Sequence, residues 1–181
     1  MAITLNGTTG IDTPALNGNV DGLALKTAGI TRLNINNSGY ITTPTIPSFY
    51  ARYATAKTKA ANTWSQMPNF DYTDFNVGGH WNGTNTFTAP VAGLYQFLAG
   101  GFFSTGAGGD VRVGLAIRRN NIDVQIGGGQ LCTPDSPFPI NTYYLQASVN
   151  DYFTLWAYAP INVVTGFGAN YSFIFAGHLI G

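Results

Sequence analysis

Residues that could perform chemistry are few in this sequence and widely spaced. Hydrolysis of a glycosidic bond requires two carboxylic acids, one of them usually buried, and the closest pair, Asp71 and Asp74, lies in the polar stretch DYTD. This setting is typical of solvated loop acids. A catalytic thiol at Cys132 would need a basic partner, and the chain has only two histidines. The sequence therefore predicts a protein that is not an enzyme and has no catalytic residue.

The same scarcity applies to metal and cofactor sites. His80 and His178 are too few for a zinc site, and no Cys-x-x-Cys spacing exists. The glycine clusters GAGGD (106–110) and GGGQ (127–130) lack the Lys-Ser/Thr of a phosphate-binding loop, so they predict turns. We therefore expect no cofactor and no metal. A calcium site built from separated loops is the alternative left open. Its candidate ligands are Asp110, Asp123, Asp135 and Asp151.

Aromatic side chains in predicted loops are the features that favour a binding function. Exposed rings offer apolar area and stacking faces at low entropic cost, which suits contact with a sugar or a protein. Together with neighbouring polar residues, the ligand-binding candidates are His80, Trp81, Asp110, Phe138, Tyr158 and Phe167. The alternative for each ring is a place in the core or in a contact between subunits.

The composition restricts the classes of partner. Charged residues make up 9% of the 181 residues, glutamate is absent, and the formal net charge is zero, so the chain has no electrostatic footprint for nucleic acid or an anionic membrane. No run approaches the roughly 20 apolar residues of a membrane helix. The first residues, MAITLNGTTGID, lack the basic and apolar regions of a signal peptide. We expect a protein made in a cytoplasm and not secreted, with no nucleic-acid partner and no membrane insertion.

Hydrophobic alternation with a period of two predicts strands along much of the chain. In the stretch RVGLAIRRNNIDVQI, three apolar residues at alternate positions, Val113, Leu115 and Ile117, share one face. The pair Asn120-Asn121 suits the two-residue turn of a hairpin, because asparagine tolerates a positive φ. The sequence thus predicts an all-β fold made of antiparallel strands.

Two segments are apolar on both faces rather than on one. They are LYQFLAGGFF (94–103) and YSFIFAGHLI (171–180). Such strands need cover on both sides. An opposing sheet supplies the first cover, and a neighbouring subunit is the simplest candidate for the second.

The first 47 residues differ from the rest, since they are rich in Gly, Asn and Thr and poor in aromatics. ITLNGTTGIDTP (3–14) aligns with LNINNSGYITTP (33–44), which indicates a possible 30-residue repeat of a β-turn-β unit. We therefore expect residues 1–47 to form a short β-rich fibrous shaft, with an extended and poorly ordered leader as the alternative. TPTIPSF (43–49) predicts a stiff connector.

The stretch FNVGGHWNGTNTFTAPVAGLYQFLAGGFF (75–103) resembles the signature segment of the globular head of complement component one, subcomponent q. The closing YSFIFAGHLIG resembles the last strand of that family. The likeness covers residues 48–181 and implies a tumour-necrosis-factor-like jelly roll, an antiparallel β-sandwich, that packs as a trimer about a three-fold axis. The implied candidates for core and trimer interface are Tyr95, Phe97, Phe102, Phe173 and Phe175.

A second resemblance concerns the segment before this head. No collagen Gly-x-y stalk is present, and RLNINNSGYITTPTIPSF (32–49) resembles the segment that precedes such heads in tail fibres of bacterial viruses. This implies a homotrimeric phage fibre or spike in the virion, attached to other virion proteins through residues 1–47, whose head binds a host-surface glycan or protein. A purely structural neck, decoration or baseplate fibre is the alternative, and a polysaccharide depolymerase is a third hypothesis.

Overall fold

A computed structural model describes five stretches of the chain. They are residues 22–36, 38–105, 110–132, 136–165 and 173–181, with the main chain alone described for 22–23, 124–130, 132 and 136–139. The chain divides into two compact units, Met1–Thr45 and Ile46–Gly181. This division lies two residues before the boundary predicted from the sequence.

The first unit contains a small antiparallel sheet. Its strands are β1 (Gly22–Thr27), β2 (Ile30–Asn36) and β3 (Ile41–Thr42). Ala28 and Gly29 have φ values of 49° and 77°, which produce the tight turn between β1 and β2. None of the side chains described in this unit is buried. Because the first copy of the predicted repeat lies outside the described residues, the repeat stays a prediction.

The second unit is a sandwich of two antiparallel sheets. The larger sheet runs in the spatial order β5 (Lys57–Lys59), β14 (Val163–Thr165), β9 (Gly93–Ser104), β15 (Ile174–Leu179), β4 (Ser48–Arg52) and β7 (Tyr72–Val77), with β12 (Ser136–Ala147) also paired to β9. The smaller sheet runs in the order β11 (Ile122–Cys132), β10 (Val111–Arg119), β13 (Tyr152–Tyr158) and β6 (Ser65–Gln66), with β8 (Thr86–Thr88) also paired to β13. We call them the seven-stranded and the five-stranded sheet.

Strands that are neighbours in these sheets are often distant in sequence. The first strand of the seven-stranded sheet, β4, pairs with its last strand, β15, and β15 pairs with β9 on its other edge. The successive strands β9 and β10 belong to different sheets, as do β12 and β13. This crossing of the chain between two antiparallel sheets is typical of a jelly roll. The described residues contain no helix, and the predicted fold class, an all-β jelly-roll sandwich, is confirmed.

The predicted hairpin is formed by β10 and β11, and residues 127–130, where the glycines predicted a turn, belong to β11 instead. Arg119 pairs with Ile122 across the turn, and the two asparagines between them have φ values of 54° and 66°, as a two-residue primed turn requires. The Asn120 side chain also accepts a hydrogen bond from the Tyr152 N–H and donates one to Asp151. The hairpin is thereby tied to the turn that begins β13.

A cluster of aromatic rings fills the space between the sheets. Phe49 has no solvent exposure. Its ring stacks on Trp81 at 4.7 Å between centroids, lies 5.0 Å from Phe87, and meets Phe175 edge to face at 5.1 Å. Gly177 faces the same space, where its missing side chain makes room for the ring of Phe97. These contacts hold the two sheets together through burial and ring packing.

Asp71 joins two segments near the strand β7. Its carboxylate accepts hydrogen bonds from the Thr55 hydroxyl and the Ala54 N–H, and it pairs with the Lys57 ammonium at 2.9 Å. Partial burial raises the pKa of Asp71, but these hydrogen bonds and the Lys57 charge outweigh burial and hold the pKa at about 2. Asp71 therefore stays ionised at any pH above that value.

We expect Asp71→Asn to lower stability at pH 6 by roughly 1 kcal/mol, because the exposed surroundings screen much of the ion pair. The folded-state pKa lies below the ordinary 3.8, so the stabilisation is complete above pH 3.8 and is lost as the pH falls through about 2. The difference between wild type and variant in urea denaturation should shrink over that interval. A difference that stays constant from pH 6 to pH 2 would contradict this assignment.

Candidate functional site

The ligand-binding candidates do not form a single site. Trp81 was predicted as a loop ring at the surface, but it is only 2% exposed and belongs to the core, so the alternative reading holds for this residue. Asn76 fixes it there by bonding to both its N–H and its carbonyl. Tyr158 is half-buried on the outer face of the five-stranded sheet. Trp81 and Tyr158 therefore cannot contact one ligand together.

The remaining candidates are placed unevenly. His80 is half-buried in the turn that follows Gly78 and Gly79, with its imidazole lying against Gly78. Asp110 is exposed at the start of β10. The Phe138 side chain and the whole of Phe167 lie outside the described residues, so their part in binding stays a prediction.

Most of the candidates for core and interface fill the core of a single chain. Tyr95, Phe97, Phe173 and Phe175 have no solvent exposure. Phe102 differs, because it is half-buried and alternates with the buried Phe103 on β9. Of these five residues, only Phe102 therefore lies on a surface that a second subunit could cover.

The outer side of the seven-stranded sheet carries an apolar surface that we call the outer apolar face. Its members are Tyr50, Phe75, Leu98, Phe102, Tyr144 and Ile174. Cross-strand pairing aligns Phe75, Tyr50 and Leu98 in one row, with Ala176 between Tyr50 and Leu98. Phe75 is 48% exposed and Tyr144 58% exposed. The strands β9 and β15, which were predicted to be apolar on both faces, thus meet the core on one side only.

A second surface lies on the outer side of the five-stranded sheet, and we call it the aromatic strip. It consists of Trp64, Trp156, Tyr158 and Arg118, all half-buried. The Trp64 and Tyr158 ring centroids are 5.9 Å apart. Trp64 reaches across β13 to Gly114 on β10, where an added Cβ would lie 3.0 Å from the indole. The glycine therefore allows the indole to lie across the sheet.

The other half of the aromatic strip is held by polar contacts. The Arg118 guanidinium lies over the Trp156 ring at 3.6 Å from its centroid, within the range of a cation–π interaction. Arg118 Nε donates to Asp123 at 2.6 Å, and the Trp156 indole N–H donates to the Thr154 hydroxyl at 2.9 Å. The ring, the guanidinium and the carboxylate are therefore fixed relative to one another before any ligand arrives.

The described residues do not assemble a metal-binding cluster. Among them, no three His, Cys, Asp or Glu side chains come together. Asp71 and Asp74, the pair considered for hydrolysis, are bound to Lys57 and Arg52 respectively. Nor does this part of the chain contain a helix that could cross a membrane.

Two of the carboxylates considered for calcium, Asp123 and Asp151, have protein partners. Asp123 accepts from Arg118, and Asp151 accepts from Asn120 and from the Ser148 N–H. These bonds to Asn120 and Ser148 lower the pKa of Asp151. Because Asp135 lies outside the described residues, a calcium site made with it stays untested.

The fold and its two outer surfaces define a jelly-roll sandwich domain with an apolar face and an aromatic strip. No protein-family model matches the chain, and no curated protein matches it. Among solved structures, the globular domain of zebrafish complement 1qA protein is similar, with 15% identity, 75% of this chain and 98% of that chain covered, and a TM-score of 0.48. This is a domain of the family that residues 75–103 resemble.

A further solved structure shares less with the chain. An exo-β-1,3-galactanase from Phanerochaete chrysosporium, in complex with galactose, has 12% identity and a TM-score of 0.22. The alignment covers 81% of this chain and 32% of the galactanase. The assignment of the fold therefore rests on the strand order described above.

Proposed function

We propose that the chain is the subunit of a homotrimeric phage virion fibre or spike, and that its head binds the surface of the host cell. The observation that carries the proposal is the outer apolar face, on which Phe75 and Tyr144 are 48% and 58% exposed. A contiguous apolar patch of this kind on a soluble protein marks an interaction surface. Its members lie on five strands of one sheet, β4, β7, β9, β12 and β15, and packing against copies of the same chain covers them.

The energetics of the outer apolar face favour association. Complete burial of a large apolar side chain contributes roughly 1.5–3 kcal/mol. Phe75, Tyr144 and Leu98 are only partly buried in a single chain, so association can still gain part of that contribution. Arg52 and His178 lie on the same side of the sheet, so polar side chains border the apolar ones. Closed three-fold symmetry brings three such faces together without leaving an open end.

The first unit supports the same proposal. A three-stranded sheet needs a covered apolar face to be stable, yet Leu25, Ile30 and Ile41 are each more than half exposed. Packing of three such sheets into a shaft removes these side chains from water. Attachment to other virion proteins through residues 1–47, and production in the host cytoplasm, complete the proposed role.

Three heads on one fibre favour binding to a host surface. Three identical weak sites on one fibre raise the effective affinity for a surface that repeats the same ligand. A purely structural fibre would use the outer apolar face equally well, so binding of the labelled protein to bacterial cells separates the two functions. Absence of binding to every strain in a panel with different surface polysaccharides would favour the structural alternative.

We expect the intact protein to have three times the 19.3 kDa mass of one chain in light scattering, and Leu98→Arg to yield monomers. An arginine at this position places a charge in the centre of the proposed interface, which is costly without a partner. Ile122→Arg is the matched control, because Ile122 is 69% exposed at a hairpin turn of the other sheet. A monomeric wild type would refute the trimer, and a folded Leu98→Arg variant that is still trimeric would show that the outer apolar face does not hold the trimer together.

A further inference from the structure

We propose that the aromatic strip binds neutral hexose units of a polysaccharide, with the sugar rings stacked on Trp64 and Tyr158. This inference rests on the proposed function, because it names a carbohydrate as the ligand class of the head and assigns its site. The strip joins flat apolar rings to hydrogen-bonding groups. A pyranose ring has the same two properties, since its C–H groups form an apolar face and its hydroxyls project from the edge.

The rings of the strip suit stacking because their positions are already fixed. Trp64 is held against Gly114 and beside Tyr158, and Trp156 is held by Thr154 and Arg118. A ligand that stacks on fixed rings loses little affinity to the ordering of side chains. Half-burial leaves part of each ring in contact with solvent.

Polar atoms border the rings on both sides. Gln66 pairs with Trp156 across β6 and β13, and its amide makes only a long 3.5 Å hydrogen bond to the Asn85 carbonyl. On the other side, Arg118 directs Nε and Nη2 to Asp123, and no described residue bonds to its Nη1. These groups can donate to hydroxyls at the edge of a stacked sugar.

The charge of the strip selects a neutral ligand. The positive charge of Arg118 is balanced by Asp123 at 2.6 Å, and no other charged residue belongs to the strip. An anionic polymer would find no net charge at the Arg118–Asp123 pair and only the exposed Arg112 further along the same side of β10, whereas a neutral hexose polymer needs neither. A protein partner fits less well, because the strip lacks strongly exposed side chains such as Phe75 and Tyr144 of the outer apolar face.

The aromatic strip lies on the sheet that the proposed trimer contact does not use, so a ligand can still reach it in a trimer. The outer apolar face belongs to the seven-stranded sheet and the aromatic strip to the outer side of the five-stranded sheet. These two surfaces lie on opposite sides of the sandwich. Association through the first therefore leaves the second open, and one trimer presents three strips.

The test measures binding of the intact protein to three neutral polysaccharides, dextran, mannan and galactan, with alginate as an acidic polymer. Two of the three tryptophans belong to the strip and the third is buried, so intrinsic fluorescence reports on the site. We expect at least one neutral polymer to change the emission and to protect it from acrylamide quenching, with no effect of alginate. Binding of none of the three neutral polymers would overturn the proposal.

Single substitutions test whether polysaccharide binding depends on the strip or on another part of the head. Trp64→Ala and Tyr158→Ala should each weaken polysaccharide binding by about tenfold or more, while Tyr158→Phe, which keeps the ring, should retain it. Ile122→Ala is the control outside the strip, and light scattering and circular dichroism check that each variant is a folded trimer. Equal binding by folded Trp64→Ala and wild type would show that the strip is not the site.

Binding to cells distinguishes failure of the site from failure of the proposed function. If the trimer binds bacterial cells and this binding survives periodate but not protease, the ligand is a protein and the strip proposal fails while host attachment stands. Loss after periodate treatment, together with loss in Trp64→Ala, is the expected result. If wild-type trimer binds a polysaccharide through the strip but binds no cell, host attachment fails independently.

Discussion

Phe49→Ala is expected to lower the free energy of unfolding by about 3–5 kcal/mol, which is the range for loss of a fully buried aromatic ring. Phe49 has no exposure and lies within ring-packing distance of Trp81, Phe87 and Phe175. Its removal leaves a cavity at the centre of the core. The rings around that cavity come from both sheets and from the connections between them, so collapse cannot fill it fully.

The measurement is urea denaturation at a fixed protein concentration, because the stability of an oligomer depends on concentration. Ile122→Ala serves as the control and should change stability by no more than about 0.5 kcal/mol, since surface changes of this kind are nearly neutral. A loss below about 1 kcal/mol for Phe49→Ala would contradict the packing described here.

Gly177→Ala is expected to destabilise the protein by about 1–3 kcal/mol, although the change adds only one methyl group. A Cβ at this position would lie 2.5 Å from Phe97 Cδ1 and 3.0 Å from Phe49 Cε1. Replacement of glycine by alanine ordinarily stabilises a chain by restricting its unfolded state. Here the methyl group meets two buried rings, and the clash outweighs that gain.

A double-mutant cycle tests whether Phe97 causes this loss. Phe97→Leu should cost less in the Gly177→Ala background than in the wild type, with a coupling of about 0.5–3 kcal/mol. Gly181→Ala is the matched control, because nothing lies within 4 Å of a Cβ there. If the losses of unfolding free energy from Gly177→Ala and Phe97→Leu simply add, the added methyl group does not clash with Phe97 and the explanation is wrong.

The sequence predicted the antiparallel strands because the signals for them are local, whereas the jelly-roll sandwich was implied by the resemblance of residues 75–103. Alternation of Val113, Leu115 and Ile117 and the asparagine pair after them are visible within a dozen residues, and both are found in the structure. Trp81 shows the limit of such reasoning. It follows two glycines in a turn-rich stretch, but a bridge to Phe87 turns its ring into the core. That contact depends on tertiary packing rather than on local composition.

Only Tyr158 of the aromatic strip was among the loop candidates, because Trp156 and Arg118 lie on strands and Trp64 directly precedes β6. Trp156 and Tyr158 are two positions apart in YFTLWAY, and this spacing on an outer face was a signal that could have been used. Trp64 ends a stretch, YARYATAKTKAANTW, with a helix-like composition. Only the pairing of β6 with β13 brings it beside Tyr158. The position of Trp64 beside Tyr158 depends on the register between two strands that are distant in sequence, and patterns within a single sequence do not reveal that register.

The position of β15 has a consequence for how the protein is made. β15 fills the gap between β4 and β9, so the seven-stranded sheet cannot close until Ile174–Leu179 have left the ribosome. Until then β4 and β9 each present an unpaired edge, and such edges pair readily with other chains. Termination of translation before β15 would therefore do more than shorten the head, because it would leave a chain prone to aggregation.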